Sequence, residues 1–432
     1  MKYFRFPTFI FLLLLLTFCK KDNSDTVIFD GVTPIVMVHG YLGSGDSYEW
    51  MAKRFTSNGF PQEKIFVFDW NTFSNDARNI QPLVKFIKTV LKETGAKQVN
   101  LIGHSMGGGL SYNYCKDPEN AKNILNLAMV APFLSERETV PSPLVTTLNI
   151  WTKTDYVVFD SDSIDGAINL ELDDIDHNEI IACPATFTAI YKLFTGNLPA
   201  TTNIIEEDNP IISGKVVSFI ENFVGNGTSV DVYEVNPNNG FRISETPNFS
   251  FVADENGRWG PMNAKKGTYY EFNISSNKLG DRSFHFYREP FLRSDKLVYL
   301  RSFPPKSSLL NSALSSVPAN DEQAVSVFFS ASKAVWTGRD VLNVNETELS
   351  TAQFCAPELN SLAFFLYDAN RNMQTDLTSI PLFEVLLSLK GVDFFFPTVQ
   401  PRQSVRFDFN GRILNTPNWP SKEDGISVAV FD

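Results

Sequence analysis

One stretch constrains the fold of this chain more than any other, the run VNLIGHSMGGG at residues 99–109. Its first half is typical of a buried strand, and its second half opens a helix near Gly108. A turn this tight between strand and helix requires glycine on both sides and exposes the Ser105 hydroxyl at the C-terminal end of the strand. The backbone N–H groups that follow then point at any oxyanion formed beside that hydroxyl. The stretch predicts a parallel α/β sheet with a nucleophilic serine at its edge.

Short apolar runs alternate with amphipathic ones from residue 33 to residue 196. Buried strands are predicted at residues 34–38, 64–68, 98–102, 124–130 and 147–152, and helices at 81–94 and 182–194. Strands that alternate with helices favour a mostly parallel sheet with helices on both faces. We therefore predict an α/β domain with a mostly parallel sheet over residues 33–196.

The character of the sequence changes after a linker predicted at residues 197–210. From 211 to 432 the chain has short alternating or β-branched runs separated by turn signals, which predict an all-β sandwich or barrel-like region. A crossing helix or boundary at 307–320 would place a sub-boundary near 305–322, so one large β domain and two smaller ones remain open. Many of the 38 Phe residues fall in this half, which favours aromatic strand cores over a lipid-binding or polymer-binding surface.

The N-terminal residues 1–19 have the pattern of an export signal. Lys2 and Arg5 precede an apolar run that is too short to span a bilayer and ends at Cys19, before a polar tether at residues 20–32. This arrangement resembles a bacterial lipoprotein signal, which implies a lipid-modified Cys19 and anchoring in the cell envelope. Bulky Phe18 departs from that pattern, so plain secretion and an uncleaved anchor remain alternatives.

Composition excludes several other classes of function. The net charge is −12 and no Lys/Arg cluster forms a basic face, so nucleic acid is not an expected partner. If Cys19 is lipidated, the odd number of remaining cysteines (Cys115, Cys183 and Cys355) leaves at least one free thiol. The spacing of His and Cys indicates no metal site, and no cofactor is predicted.

A nucleophilic serine needs a general base, and the chain contains four histidines. His39 and His104 flank the predicted turns and are interpreted as packing residues, and His285 lies in a predicted strand of the β-rich half. His177 remains, in a loop before the last helix of the α/β domain. We therefore predict that His177 is the base of Ser105.

The chain order nucleophile, acid, base places the acid between Ser105 and His177. Asp155 is favoured because it directly follows a strand, where a carboxylate can orient an imidazole. Most of its rivals are interpreted as solvated loop charges. These rivals are Asp160, Asp162, Asp165, Asp173, Asp174 and Asp176.

The loop after the first strand supplies the remaining part of the predicted site. It reads His-Gly-Tyr-Leu-Gly at residues 39–43, and the backbone N–H of Tyr41 is predicted to pair with that of Met106 as an oxyanion hole. In this arrangement His177 would deprotonate Ser105, which attacks an ester carbonyl to form an acyl-enzyme. Residues 70–79 and 132–143 are the loops of this domain that are long enough to cover the site.

Residues 36–196 resemble α/β-hydrolase lipases and esterases of the bacterial lipase class 2 type. The resemblance is carried by residues 39–43, 103–108, 154–157 and 176–177, and it implies the same roles for the residues named above. Residues 212–217, 256–261 and 285–291 are similar to the β-rich C-terminal domain of archaeal long-chain lipases, which implies lipid binding. Residues 212–274 also resemble carboxypeptidase-regulatory-like sandwiches.

These observations predict an exported serine carboxylic ester hydrolase, lipase-like, with an acyl ester or lipid as its substrate. The alternative is a surface lipoprotein with a binding β domain and an inactive or acyltransferase-type hydrolase domain. Membrane anchoring would in either case depend on Cys19.

Overall fold

The computed structural model describes residues 31–73, 76–135, 139–159, 161–275, 282–314, 316–384, 386 and 388–432, without the side chains of residues 76, 77, 309, 312 and 313. The predicted signal at residues 1–19, Cys19 itself and most of the predicted tether lie outside these residues. Within them, no helix combines the length and the apolar character needed to cross a bilayer.

The N-terminal region contains a parallel sheet of six strands among the described residues, in the order β2-β1-β3-β4-β5-β6. The strands are β1 Ile35–Val38, β2 Ile65–Phe68, β3 Val99–His104, β4 Ile124–Val130, β5 Thr146–Thr152 and β6 Ile168–Leu172. The helices are α1 Glu49–Ser57, α2 Asp76–Thr94, α3 Met106–Lys116, α4 Pro118–Ala121, α5 Glu179–Ala182 and α6 Pro184–Thr195. The predicted parallel α/β fold is confirmed.

Two elements of this region differ from the sequence prediction. Helix α2 begins at Asp76 rather than at residue 81, so Pro82 lies inside the helix instead of in its first turn. Strand β6 was not predicted because it is an edge strand whose side chains are exposed or half-buried, and it therefore shows no apolar run.

The C-terminal half, residues 211–432, is rich in strands. They are β7 Ile211–Ser218, β8 Ser229–Val235, β9 Phe249–Val252, β10 Arg258–Asn263, β11 Tyr269–Ser275, β12 Phe284–Arg288, β13 Asp295–Ser302, β14 Val325–Ser330, β15 Leu342–Val344, β16 Thr347–Glu348, β17 Ala363–Tyr367, β18 Leu389–Asp393, β19 Ser404–Phe409, β20 Arg412–Pro417 and β21 Ile426–Phe431. Short helices lie at α7 Leu309–Leu314, α8 Ala352–Cys355 and α9 Pro381–Glu384. We call this half the β region.

The described strands of the β region form three sheets. They are a three-stranded sheet, β10-β7-β13, an eight-stranded sheet, β18-β17-β14-β21-β12-β11-β8-β9, and a four-stranded sheet, β16-β15-β19-β20. In the eight-stranded sheet, alternate residues face opposite sides. Val327 and Phe365 belong to a core shared with the three-stranded sheet, whereas Phe328 and Phe364 belong to a core shared with the four-stranded sheet. The β region is thus a layered structure with aromatic strand cores.

A buried ion cluster joins α1 of the N-terminal region to the β region. Glu49 binds Lys53 at 2.6 Å and Arg288 at 2.8 Å, and Arg288 also binds Asp432 at 2.5 Å. Asp295 completes the cluster, 3.4 Å from Lys53. Because four of these side chains are buried and that of Asp432 is only 15% exposed, each charge depends on the others for compensation. Residues 33–432 accordingly form one compact unit.

Candidate active site

Ser105 lies in a strained turn between β3 and α3. Its backbone has φ 54° and ψ −125°, a conformation that non-glycine residues rarely adopt. The turn also requires close backbone approach, since a Cβ atom on Gly103 would be 2.5 Å from the carbonyl oxygen of Gly107. A Cβ atom on Gly107 would be 2.2 Å from the carbonyl oxygen of Val38. Glycine at positions 103 and 107 therefore allows Ser105 to lie at the edge of the sheet.

Asp155 and His177 are joined by a buried hydrogen bond of 2.7 Å between His177 Nδ1 and Asp155 Oδ2. The other carboxylate oxygen of Asp155 accepts the N–H groups of Val157 and Val158, both at 2.8 Å. Burial would raise the pKa of Asp155, but the hydrogen bond and charge of His177 and the two N–H groups hold it below its usual value. An ionised Asp155 therefore accepts a hydrogen bond from Nδ1–H of His177 and leaves Nε2 as the basic nitrogen.

Ser105 and His177 line the same cavity, together with Gly40, Tyr41 and other residues. The loop that carries Gly40 lies against the serine, because a Cβ atom on Gly40 would be 2.8 Å from Cβ of Ser105. Met106 begins α3 directly after the serine. The structure thus brings the predicted nucleophile, base, acid and oxyanion residues to one edge of the parallel sheet.

The contacts of His39 and His285 indicate structural roles. The His39 ring stacks on Trp70 with a centroid distance of 5.7 Å, accepts the N–H of Trp70 at 3.3 Å and contacts the carbonyl oxygen of Gly40 at 2.9 Å. Its pKa is lowered by burial, so it is a neutral brace of this loop. His285 lies in β12, where it bonds Glu271 at 2.7 Å.

His104 does more than pack against the sheet. Its Nε2 donates to the main-chain carbonyl oxygen of His177 at 2.8 Å, and the two rings are 4.7 Å apart. Burial, with a smaller contribution from His177, lowers the pKa of His104 to about 3, so the ring is neutral. His104 therefore holds the backbone of the candidate base. Sequence reasoning missed this contact because it joins residues that are distant along the chain.

Asp176 was grouped with the rival aspartates, most of which were interpreted as solvated, and for Asp176 that interpretation is wrong. Its side chain is 1% exposed. One carboxylate oxygen accepts the N–H of Ala334 at 3.1 Å and a guanidinium N–H of Arg339 at 3.0 Å. Asp160 lies outside the described residues.

The cavity beside Ser105 extends into the β region. Its volume is about 100 Å³, and the part of its wall that the β region supplies includes Phe219, Phe329, Ala363 and Leu389. Phe219, Phe329 and Ala363, together with Arg301, also line a second, mainly apolar cavity of about 50 Å³. The second cavity further contains Phe284, Phe286, Phe303, Val327, Phe365 and Val428. The sequence indicated residues 70–79 and 132–143 as the loops that could cover the site. It did not predict that the β region supplies this wall.

The described residues contain neither a cluster of metal-ligating side chains nor an exposed cysteine. No group of three or more His, Cys, Asp or Glu side chains in these ranges could hold a metal ion. Cys115, Cys183 and Cys355 are free and buried. Burial raises the pKa of Cys115, and it raises that of Cys355 to about 12, so neither is a reactive thiolate.

Comparison with known families agrees with this architecture. A model of the alpha/beta hydrolase fold matches residues 33–167, and a model of the lipase C-terminal domain matches residues 209–305. The N-terminal region is an α/β-hydrolase of the lipase and esterase type. A third model, also described as a C-terminal domain, covers residues 317–432 of this hydrolase.

Individual relatives of this α/β-hydrolase are more distant. A triacylglycerol lipase of Vibrio cholerae serotype O1 is 35% identical over 81 residues, which is 17% of this chain and 25% of that protein. The match thus spans a quarter of the length of that relative. The crystal structure of Bacillus licheniformis lipase BlEst2 aligns with 38% of this chain and 94% of its own, at 15% identity and a TM-score of 0.33. A predicted CIB-like hydrolase from Thermoplasma acidophilum aligns with 40% and 90%, at 21% identity and a TM-score of 0.30.

Proposed function

We propose that this protein is an exported serine carboxylic ester hydrolase, lipase-like, that cleaves acyl esters through an acyl-enzyme on Ser105. The observation that carries the proposal is the buried His177–Asp155 hydrogen bond beside Ser105, at the mouth of an apolar cavity. A histidine whose Nδ1 is held by a carboxylate, in the same cavity as a serine, is the arrangement that activates a hydroxyl.

The first half-reaction begins with His177. Its Nε2 removes the Ser105 proton as Oγ attacks the ester carbonyl, and the carbonyl oxygen becomes an oxyanion. The backbone N–H groups of Tyr41 and Met106 stabilise that charge, and Asp155 stabilises the imidazolium. His177 then protonates the leaving alcohol, which departs and leaves the acyl group on Ser105.

Water completes the cycle. His177 removes a proton from the incoming water as it attacks the acyl-enzyme, a second oxyanion forms in the same hole, and the Ser105 oxygen is reprotonated as the acid leaves. An acceptor alcohol in place of water would give acyl transfer, so release of free acid distinguishes hydrolysis from the acyltransferase alternative.

The substrate class is inferred from the walls of the two cavities. Four side chains line both cavities, those of Phe219, Phe329, Ala363 and Arg301, and apart from Arg301 the second cavity is lined by apolar side chains. Burial of each CH₂ group stabilises an acyl chain by about 0.8 kcal/mol. We therefore expect medium to long acyl chains, as the name of the Vibrio cholerae relative, a triacylglycerol lipase, also suggests.

Export and anchoring form a separate part of the proposal, based on the sequence of residues 1–32. Cys19 would carry the lipid, which would keep the hydrolase at a membrane surface. Incorporation of an alkyne-labelled fatty acid into the wild type but not into Cys19→Ala is the expected result. No label in either protein would contradict lipidation of Cys19. Equal membrane retention of both proteins would then favour an uncleaved anchor, and release of both would favour secretion.

Covalent labelling tests the enzyme itself. A fluorophosphonate probe should label the wild type and the matched variant Ser250→Ala, whose hydroxyl bonds Asp231 on an exposed strand, but not Ser105→Ala. Hydrolysis of p-nitrophenyl esters should likewise be lost in Ser105→Ala by about 10⁶-fold in kcat. Folded wild-type protein that takes no label and releases no acid would contradict the proposal and favour the binding lipoprotein.

A further inference from the structure

We propose that Arg339, in the β region, is a positioning residue for His177: it acts through Asp176 to hold the loop that carries the base. The inference rests on the proposed function, because it assigns Arg339 to the support of that same site. Arg339 does not line the cavity beside Ser105, so its effect on catalysis would pass through the loop rather than through contact with substrate.

Asp176 is the connecting residue. One of its carboxylate oxygens accepts the N–H groups of Asn178 at 2.9 Å and Glu179 at 2.8 Å, which fixes the turn around His177. The other oxygen is bound by Ala334 and Arg339, as described above. A carboxylate that is 1% exposed and makes four hydrogen bonds has one orientation, and that orientation requires the β region.

Arg339 makes contacts that suit a planar, forked cation. It donates to Asp176 at 3.0 Å, to Glu179 at 3.0 Å and to Asp340 at 2.8 Å, and also to the carbonyl oxygen of Ala334. Its guanidinium lies 4.3 Å from the ring centre of Trp336. A lysine could carry the charge but could not reproduce this set of donors.

The same segment also reaches the loop of the candidate acid. Trp336 meets Tyr156, the neighbour of Asp155, edge-to-face with centroids 6.1 Å apart. A second link between the two regions runs from Asn178 Nδ2 to Asn360 Oδ1 at 3.0 Å. Residues 334–340 therefore contact both loops whose side chains form the His177–Asp155 hydrogen bond.

The charges around Arg339 show what its removal would do. Three carboxylates, those of Asp176, Glu179 and Asp340, surround the guanidinium, and the remaining described cation of the group, Lys333, is bonded to Asp340 at 2.5 Å. Without Arg339, Asp176 and Glu179 would repel each other and the loop would loosen. A shift of about 1 Å in a catalytic group can cost about 10²-fold in rate.

The primary test is Arg339→Gln, assayed with a short, soluble p-nitrophenyl ester. We expect kcat to fall by about 10-fold to 100-fold while KM changes by less than about 2-fold, since the cavity walls are retained. The rate constant for fluorophosphonate labelling should fall by the same factor. The NMR resonance of the His177 Nδ1 proton should broaden because the proton exchanges faster with water.

Three further variants exclude a general loss of stability. Arg406→Gln removes a guanidinium of the same β region, which pairs with Asp408 at 2.9 Å, and should keep wild-type kcat. Arg339→Lys should recover part of the lost activity. Asp176→Asn combined with Arg339→Gln should be no slower than the slower single variant, because both changes break one connection.

The outcomes separate the two proposals. Wild-type protein that does not react with the probe contradicts the proposed function. If the wild type reacts, Arg339→Gln with unchanged kcat and labelling rate overturns the positioning role. So would an equal loss in Arg406→Gln, or fully additive losses in the double variant. A lowered melting temperature with a normal rate in the folded fraction also overturns it.

Discussion

The two regions of the molecule divide the candidate site between them in different ways. The N-terminal sheet supplies every polar group proposed to react, from loops at the C-terminal ends of its parallel strands. The β region supplies none of these groups among its described residues, but it provides the apolar wall of the cavity and the contacts that hold Asp176. The groups proposed to react therefore come from one half of the chain, and the other half contributes the apolar wall and the support of Asp176.

This difference changes how the β region is understood. An appended binding module would contact the hydrolase at its surface and leave the loop of the base alone. Here Arg339 and Asn360 bind the residues on either side of His177, and a buried ion cluster fixes α1 to β12. The β region is consequently a structural part of the site.

The largest expected effect concerns the N-terminal half. Asp155→Asn should lower kcat by about 10⁴-fold, because an amide in this place favours the wrong tautomer of His177. Steady-state hydrolysis of a short ester measures the change. Asp162→Asn, in the same loop but exposed, should remain active. Comparable activity in both variants would remove Asp155 from the proposed mechanism.

The next effect concerns the junction between the halves. Arg288→Met should lower the free energy of unfolding by about 3–5 kcal/mol, because the buried Glu49 and the partly buried Asp432 lose a partner that they share. Urea denaturation measures the loss. Arg402→Met breaks a half-exposed pair with Asp424 and should cost about 0–1 kcal/mol. Equal losses would mean that the buried cluster does not secure the two halves.

A smaller effect should appear as a pH dependence of stability. The pKa of His104 is about 3 in the folded protein and about 6.5 when unfolded, so between these values the unfolded state binds more protons. The stability contributed by neutral His104 is complete above about pH 6.5 and is lost as the pH falls towards 3. His104→Gln keeps an N–H donor without this titration.

The free energy of unfolding of the wild type should therefore fall by about 2–3 kcal/mol more than that of His104→Gln between pH 6.5 and pH 4.5. Urea denaturation at several pH values gives both curves. Parallel curves for the two proteins would show that His104 does not titrate in this window.

The smallest expected effect tests whether the β region accommodates the acyl chain of the substrate. Ala363 lines both cavities where they meet, so Ala363→Leu should narrow the connection. We expect kcat/KM for long acyl esters to fall by about 10-fold, with short esters hardly changed, so the same variant provides its own control. A uniform loss over all chain lengths would argue that acyl chains do not enter the second cavity.

The sequence predicted those parts of the fold that depend on local patterns. The alternation of strands and helices around residues 99–109 indicated the parallel sheet, and its motifs led to Ser105, Asp155 and His177, which the structure brings together. Edge strands were missed for a physical reason. Residues 258–263 contain Gly260-Pro261, a turn signal, yet they form β10 at the edge of a sheet, where a proline is tolerated.

Contacts between distant segments could not be predicted from one sequence. The bond from Arg339 to Asp176 spans 163 positions, and that from His104 to His177 spans 73. An aspartate in a polar loop has the same local pattern whether it is solvated or buried. Only the packing of the β region decides between these states. The contact of Arg339 with Asp176 and the apolar wall of the cavity could therefore be identified only from the structure.

The position of β21 has a consequence for the order of events during synthesis. This strand, Ile426–Phe431, lies in the middle of the eight-stranded sheet, parallel to β12 on one side and β14 on the other. The parallel sheet of the N-terminal half joins strands that all emerge from the ribosome before residue 173. Ser105 can therefore adopt its strained backbone conformation early in synthesis. The second, apolar cavity and the contact of Arg339 with Asp176 can form only after β21 has been synthesised.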